Sequence, residues 1–94
     1  MDKEKVKEYN NELKGTRIPH GVVVQKVSSH AVERAVERDF SPFELKETLL
    51  EYTMSYPGNS TNSNSNVYQL DNKRIVVGKN GNIITVIDLN RKGG

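Results

Sequence analysis

The run Asn59-Ser60-Thr61-Asn62-Ser63-Asn64-Ser65-Asn66 divides the chain into two halves with different periods. Its small polar residues give it nothing to bury, so it reads as a surface connector. Before it, apolar residues recur three and four positions apart, the period of amphipathic helices. After it, β-branched residues come in short runs bounded by Asn, Asp and Gly, the pattern of strands. Helices first and strands second imply an α+β fold, with the N-terminal helices packed on one face of a three- to four-stranded antiparallel sheet.

From Lys3 to Lys14 the apolar residues are Val6, Tyr9 and Leu13, and Gly15 stands as a stop. So weakly apolar a segment reads either as a docking helix or as the remnant of a linker. Pro19 and Gly21 make the following stretch irregular, and Val22 to Val27 reads as a short strand, the sheet's fourth. The next helix runs from Ser29 or His30 to Arg38, capped by Ser28 or Ser29. Ser41-Pro42-Phe43-Glu44 then carries an N-cap serine, a first-turn proline and a capping-box glutamate. That third helix is expected to reach Met54, with Phe43, Leu45, Leu49, Leu50 and Met54 as its packing residues. Strands follow at Val67–Leu70, Arg74–Gly78 and Asn82–Leu89, with Asn80-Gly81 as a two-residue hairpin turn of the positive-φ type.

Ninety-four residues, 34% of them apolar, make one domain with a thin core. Residues 1–15 are its N-terminal helix or linker remnant, 16–89 its core and 90–94 a tail. The chain has no cysteine and two histidines, too few soft ligands for a zinc site, so no metal and no cofactor is expected. Gly78-Lys79-Asn80-Gly81 lacks the length and the following helix of a phosphate-binding loop. The longest apolar run, Val22-Val23-Val24, is far short of a membrane span, and the charged start has no apolar stretch of the leader type after it, so no membrane partner is expected. Net charge is only +2, but residues 59–94 carry five Lys/Arg (Lys73, Arg74, Lys79, Arg91, Lys92) against two acidic residues. That local excess leans toward a polyanion.

The segment richest in chemistry is Ser28 to Asp39. At a helical period His30, Arg34 and Arg38 stack on one stripe, while Ala31, Val32, Ala35 and Val36 form the opposing apolar one. A histidine in a helix's first turn stands beside free backbone N–H groups and the positive end of the dipole, both favourable to an anion. RNA cleavage without a metal needs a proton-transfer group, cations for the phosphorane and a donor hydroxyl. His30 can supply the first, Arg34 and Arg38 the second, and Thr85, the polar residue of Ile83-Ile84-Thr85-Val86-Ile87, the third. Lys73, Arg74 and Lys79 on or beside the strands are candidate substrate contacts. Pleating alone puts Thr85 on the same face as Ile83 and Ile87. A plainer reading stands beside this one: Val-Glu-Arg, repeated at 32–34 and 36–38, is an exposed helix face with Glu33 and Glu37 pairing the arginines. His20 is either an exposed loop residue or a second proton-transfer group.

The ordered set Ser29-His30-Ala31-x-x-Arg34, Arg38 before Phe40-Ser41, a short helix ending near Tyr56-Pro57, then Arg74-Ile75-Val76-Val77 and Gly81-Asn82-Ile83-Ile84-Thr85-Val86 resembles a nuclease superfamily. That superfamily unites barnase, EndoU-type endoribonucleases, tRNase colicins and RelE-type toxins, and the likeness covers residues 28–89. The resemblance implies a metal-independent endoribonuclease toxin that cleaves RNA, with tRNA the expected substrate, to a 2′,3′-cyclic phosphate. It further implies the C-terminal domain of a secreted or surface-delivered bacterial effector, acting in the target-cell cytoplasm and neutralised by a cognate immunity protein. Carried over, His30 is the catalytic histidine, Arg34 and Arg38 face the phosphate, and Thr85 is the last-strand hydroxyl. Ile87 stands where many relatives have an aromatic residue, so no stacking role carries over there. The alternative is a non-enzymatic RNA- or protein-binding module using the same helix and sheet.

Overall fold

The computed structural model describes residues 2–58 and 64–90. They form α1 (Lys3–Leu13), β1 (Lys26–Val27), α2 (Ser29–Glu37), α3 (Pro42–Glu51), β2 (Met54–Pro57), β3 (Ser65–Leu70), β4 (Lys73–Gly78) and β5 (Asn82–Asp88). The class is α+β, with the helices on one face of the sheet. Residues 59–63 of the connector and 91–94 of the tail lie outside the described residues, whereas Ser65 and Asn66 open β3.

The sheet has five strands in the order β1-β5-β4-β3-β2, and it is mixed, because β1 pairs with β5 in parallel. Two departures from the sequence reading produce this. First, α3 stops at Glu51 and β2 takes Met54. Contacts from distant segments end the helix: the Tyr52 hydroxyl donates to the Pro19 carbonyl, and its ring packs edge to face on Tyr68 at 4.9 Å. Leu45 and Leu49 are buried as expected, but Phe43, Leu50 and Met54 are exposed. Second, Val22 to Val24 folds back on Gly15 to Ile18 instead of entering the sheet, with Gly15 N–H donating to the Val24 carbonyl and Val24 N–H to that of Thr16. The turn between them has Pro19 followed by His20 at φ 59° and closes through Gly21 N–H to the Ile18 carbonyl, the pattern of a type II turn with histidine in the place glycine favours. Only Lys26 and Val27 reach β5.

The β4–β5 connection also differs. Gly81 takes φ 90° but Asn80 stays outside the positive-φ region, so the loop is Lys79-Asn80-Gly81, a turn closed by Gly81 N–H to the Gly78 carbonyl at 2.9 Å and followed by a left-handed glycine. A side chain at residue 81 would start 2.4 Å from the Val23 carbonyl oxygen, so glycine serves close approach as well as the turn.

The core lies between sheet and helices. Ile75, Val77, Ile83 and Val86 meet Tyr9 and Leu13 of α1, Val32 and Ala35 of α2, and Leu45 and Leu49 of α3. The first helix is therefore docked, and it brackets α2 at both ends. Asn10 accepts from Val27 N–H at 2.8 Å and donates to the Val27 carbonyl at 3.0 Å, fixing the residue before the N-cap of α2. The Tyr9 hydroxyl donates to the Phe40 carbonyl at 2.7 Å, fixing the chain just after it.

Candidate functional site: the seam of α2 and β5

Helix α2 begins at an N-cap that also ties it to the sheet. Ser28 Oγ accepts from Ala31 N–H at 3.0 Å and donates to the Ile84 carbonyl at 3.1 Å, while Ser28 N–H donates to Ile83. Its end is a Schellman closure: Phe40 N–H bonds the Ala35 carbonyl, Asp39 N–H bonds that of Val36, and Asp39 takes φ 59°. Phe40 lies against Lys73, whose Nζ is 5.6 Å from the ring centroid, and Lys73 pairs with Asp88. Helix α2 thus starts at Ile83–Ile84 and packs on β5 through Val32 and Ala35, in the same core as Ile83 and Val86.

His30 lies two residues after the N-cap Ser28, in the first turn of α2, and Thr85 directly follows Ile84, whose carbonyl Ser28 holds. His30 is exposed and has no hydrogen bond or ion pair among the described residues. Arg34 and Arg38 follow in the next turns, and both donate Nη1 to one oxygen of Glu37, at 2.8 and 3.2 Å. The pairing foreseen in the plainer sequence reading is present for Glu37; Glu33 faces solvent. Arg38 is the more sunken of the two, its side chain 13% exposed against 37% for Arg34. Its Nε is buried without a partner.

Thr85 does not share a face with Ile83. The β4–β5 register slips between Val76 and Val77: Val77 pairs with Ile83, but Val76 pairs with Thr85. The extra residue, Ile84, is a bulge, and it lets Ile83 and Val86, three apart, both enter the core. Thr85 and Ile87 are turned to the open face, away from all three helices, so the sheet lies between Thr85 and the core face of α2. Registers across the sheet make a row of Tyr56, Val67, Val76 and Thr85, and a second of Met54, Gln69, Arg74 and Ile87.

The three basic residues expected to hold substrate do not form one surface. Lys73 belongs to the helix side of β4, Arg74 to the open face, and Lys79 to the loop at the far end, about 20 Å from Lys73. Pleating and strand length separate what sequence proximity joined. Arg74 alone joins the face of Thr85, with Nε donating to Gln69 Oε1 at 2.9 Å and its guanidinium carbon 5.8 Å from the Tyr56 ring centroid. Sequence reasoning missed Tyr56 and Gln69. The alternation Met54-Ser55-Tyr56 was the available signal, hidden because it follows a helix directly.

A groove of about 680 Å³ lies elsewhere, between α1 and the start of α3, lined by Glu4, Glu8, Glu12 and Phe43 among others, and it shares no residue with the seam. Among the described residues there is no cluster of three or more His, Asp or Glu side chains able to hold a metal, and no helix is long and apolar enough to cross a membrane. Fold and seam together define an α+β domain with a histidine–arginine helix laid along the last strand of a mixed sheet. No family model, no curated protein and no solved structure matches the chain.

Proposed function

We propose that this chain is a metal-independent endoribonuclease toxin whose site is the seam of α2 and β5. The observation that carries the reading is His30: exposed, unpartnered among the described residues, with Arg34 and Arg38 following on its own helix. In this mechanism His30 takes the proton of an RNA 2′-hydroxyl, whose oxygen attacks the adjacent phosphorus. The bond from phosphorus to the 5′-oxygen breaks, leaving a 2′,3′-cyclic phosphate and a 5′-hydroxyl protonated from water. Arg34 and Arg38 neutralise the phosphorane and Thr85 donates to a non-bridging oxygen. From the resemblance in motif order come the remaining parts of the proposal: tRNA as substrate, a cognate immunity protein as partner, and action in the target-cell cytoplasm as the C-terminal domain of a delivered effector.

The test is cleavage of a tRNA pool by purified protein in the presence of a chelator, with cyclic phosphate read at the new 3′ ends. Wild type should cut and His30→Ala should lose about 10²–10⁴ in rate with unchanged melting temperature. Full activity in that variant overturns the proposal. One observation favours the second reading, a non-enzymatic RNA- or protein-binding module: Glu37 already pairs with one Nη1 of each arginine. On that reading the wild type binds without cutting, and His30→Ala changes nothing.

A further inference from the structure

We infer that the open face of the sheet carries a nucleobase-stacking subsite at Tyr56, with Arg74 as its phosphate contact, for a single RNA strand crossing β2 to β5 toward Thr85. The inference rests on the ribonuclease reading and adds a substrate form and a contact residue to it. Tyr56 and Thr85 end one row across four strands, about 14 Å apart at ordinary strand spacing, a distance that an extended single strand covers in a couple of nucleotides.

The chemistry of this face is selective. Of the six aromatic residues, Tyr9, Tyr68 and Phe40 are buried, Tyr52 is committed to Tyr68 and Pro19, and Phe43 projects from α3 beside the acidic groove. Tyr56 is therefore the aromatic of the open face, half-exposed on the edge strand. Arg74 is held against it by Gln69, which takes the Nε proton, and its Nη groups have no partner among the described residues. Neither row across this face contains a carboxylate, whereas the groove on the helix side holds three glutamates, Glu4, Glu8 and Glu12, against one lysine, Lys7. An aromatic ring, a fixed guanidinium with free donors and no opposing negative charge suit a base and its phosphate. The acidic groove, by contrast, repels a phosphate chain.

The chain contains no tryptophan, so Tyr56→Trp places a single fluorescent reporter at the subsite. The probe is a short 2′-O-methyl RNA strand, which lacks the attacking hydroxyl and stays uncut. Titration should quench the tryptophan emission of this variant with the single strand and leave it unchanged with the same sequence as duplex. Affinity of Tyr56→Leu for the single strand should fall about 5- to 100-fold, while Tyr56→Phe stays within about twofold because the ring persists. Absence of quenching, or wild-type affinity in a folded Tyr56→Leu, overturns the subsite. Should Tyr56→Leu fail to fold, the fluorescence titration of Tyr56→Trp decides alone. Quenching by the single strand in a protein that cuts no RNA separates the two ideas: the subsite stands and the nuclease reading falls.

Discussion

Replacing Arg38 by methionine should make the protein more stable and less active at once. The Arg38 side chain is 13% exposed, and its buried Nε–H meets no acceptor, which costs about 1–3 kcal/mol. Against this stand a pair with half-exposed Glu37, worth at most about 1 kcal/mol, and a cation at the C-terminal end of α2, worth about 0.3–1 kcal/mol. Methionine keeps the length and flexibility needed to fill the same channel. The balance favours the variant by about 1 kcal/mol, which for a domain of this size raises Tm by about 4–8 °C. Thermal unfolding followed by circular dichroism measures the first half, and the tRNA cleavage assay the second, where loss of a phosphate-facing guanidinium should lower kcat/KM at least about tenfold. A fall in Tm of comparable size would refute the argument that the orphan donor outweighs the pair. Unchanged cleavage would remove Arg38 from the site.

Three further outcomes follow from the fold. Gly81→Ala should destabilise by about 2 kcal/mol or more, read from the urea midpoint, because residue 81 sits at φ 90° and its new Cβ would lie 2.4 Å from the Val23 oxygen. Asn10→Ala should cost about 2–3 kcal/mol, since it strips the Val27 N–H and carbonyl of their shared partner; a loss under about 0.5 kcal/mol would show that α1 does not hold the start of α2. The Tyr9 hydroxyl is raised above 10.0, first by burial and then by Glu8, Glu44 and Asp39. Its unfolded counterpart releases the proton at lower pH, so this stabilisation is complete below pH 10 and is lost as pH climbs through the raised value. Tyr9→Phe should lower stability by about 1 kcal/mol at neutral pH and flatten the alkaline limb, leaving the part due to Tyr68, which burial also raises.

The parts of the fold legible in the sequence were those dictated locally. The capping box of Ser41 and Glu44 forms as spelled, Ser28 caps α2, and of the apolar stripe Ala31, Val32, Ala35 and Val36 the first three are fully buried while Val36, in the last turn, is exposed. What escaped was set by contacts far along the chain. Nothing near Tyr52 announces that Pro19 and Tyr68 will end its helix, and nothing near Val22 announces that Thr16 and Gly81 will take its neighbours' hydrogen bonds. The same division runs through the site. That His30, Arg34 and Arg38 share a stripe is a matter of helical period, but that Glu37 joins Arg34 to Arg38 and that Arg38 sinks deeper depends on how the helix rolls against β5. Tyr56 and Arg74 lie eighteen positions apart in sequence and meet only because β2, β3 and β4 pair in that register.

The bulge at Ile84 is the pivot between core and seam. In an unbroken strand Ile83, Thr85 and Ile87 alternate together, so burying Ile83 would bury the hydroxyl at 85 as well. One inserted residue reverses this. Ile83 and Val86 keep the core filled, Thr85 turns outward into the row with Val76, Val67 and Tyr56, and the Ile84 carbonyl becomes the anchor for the Ser28 hydroxyl. The same irregularity that spoils the strand's period thus supplies the carbonyl that anchors the N-cap of α2. Deleting Ile84 would restore the period with Ile83 still opposite Val77 and Thr85 opposite Val76, and would lose that anchor.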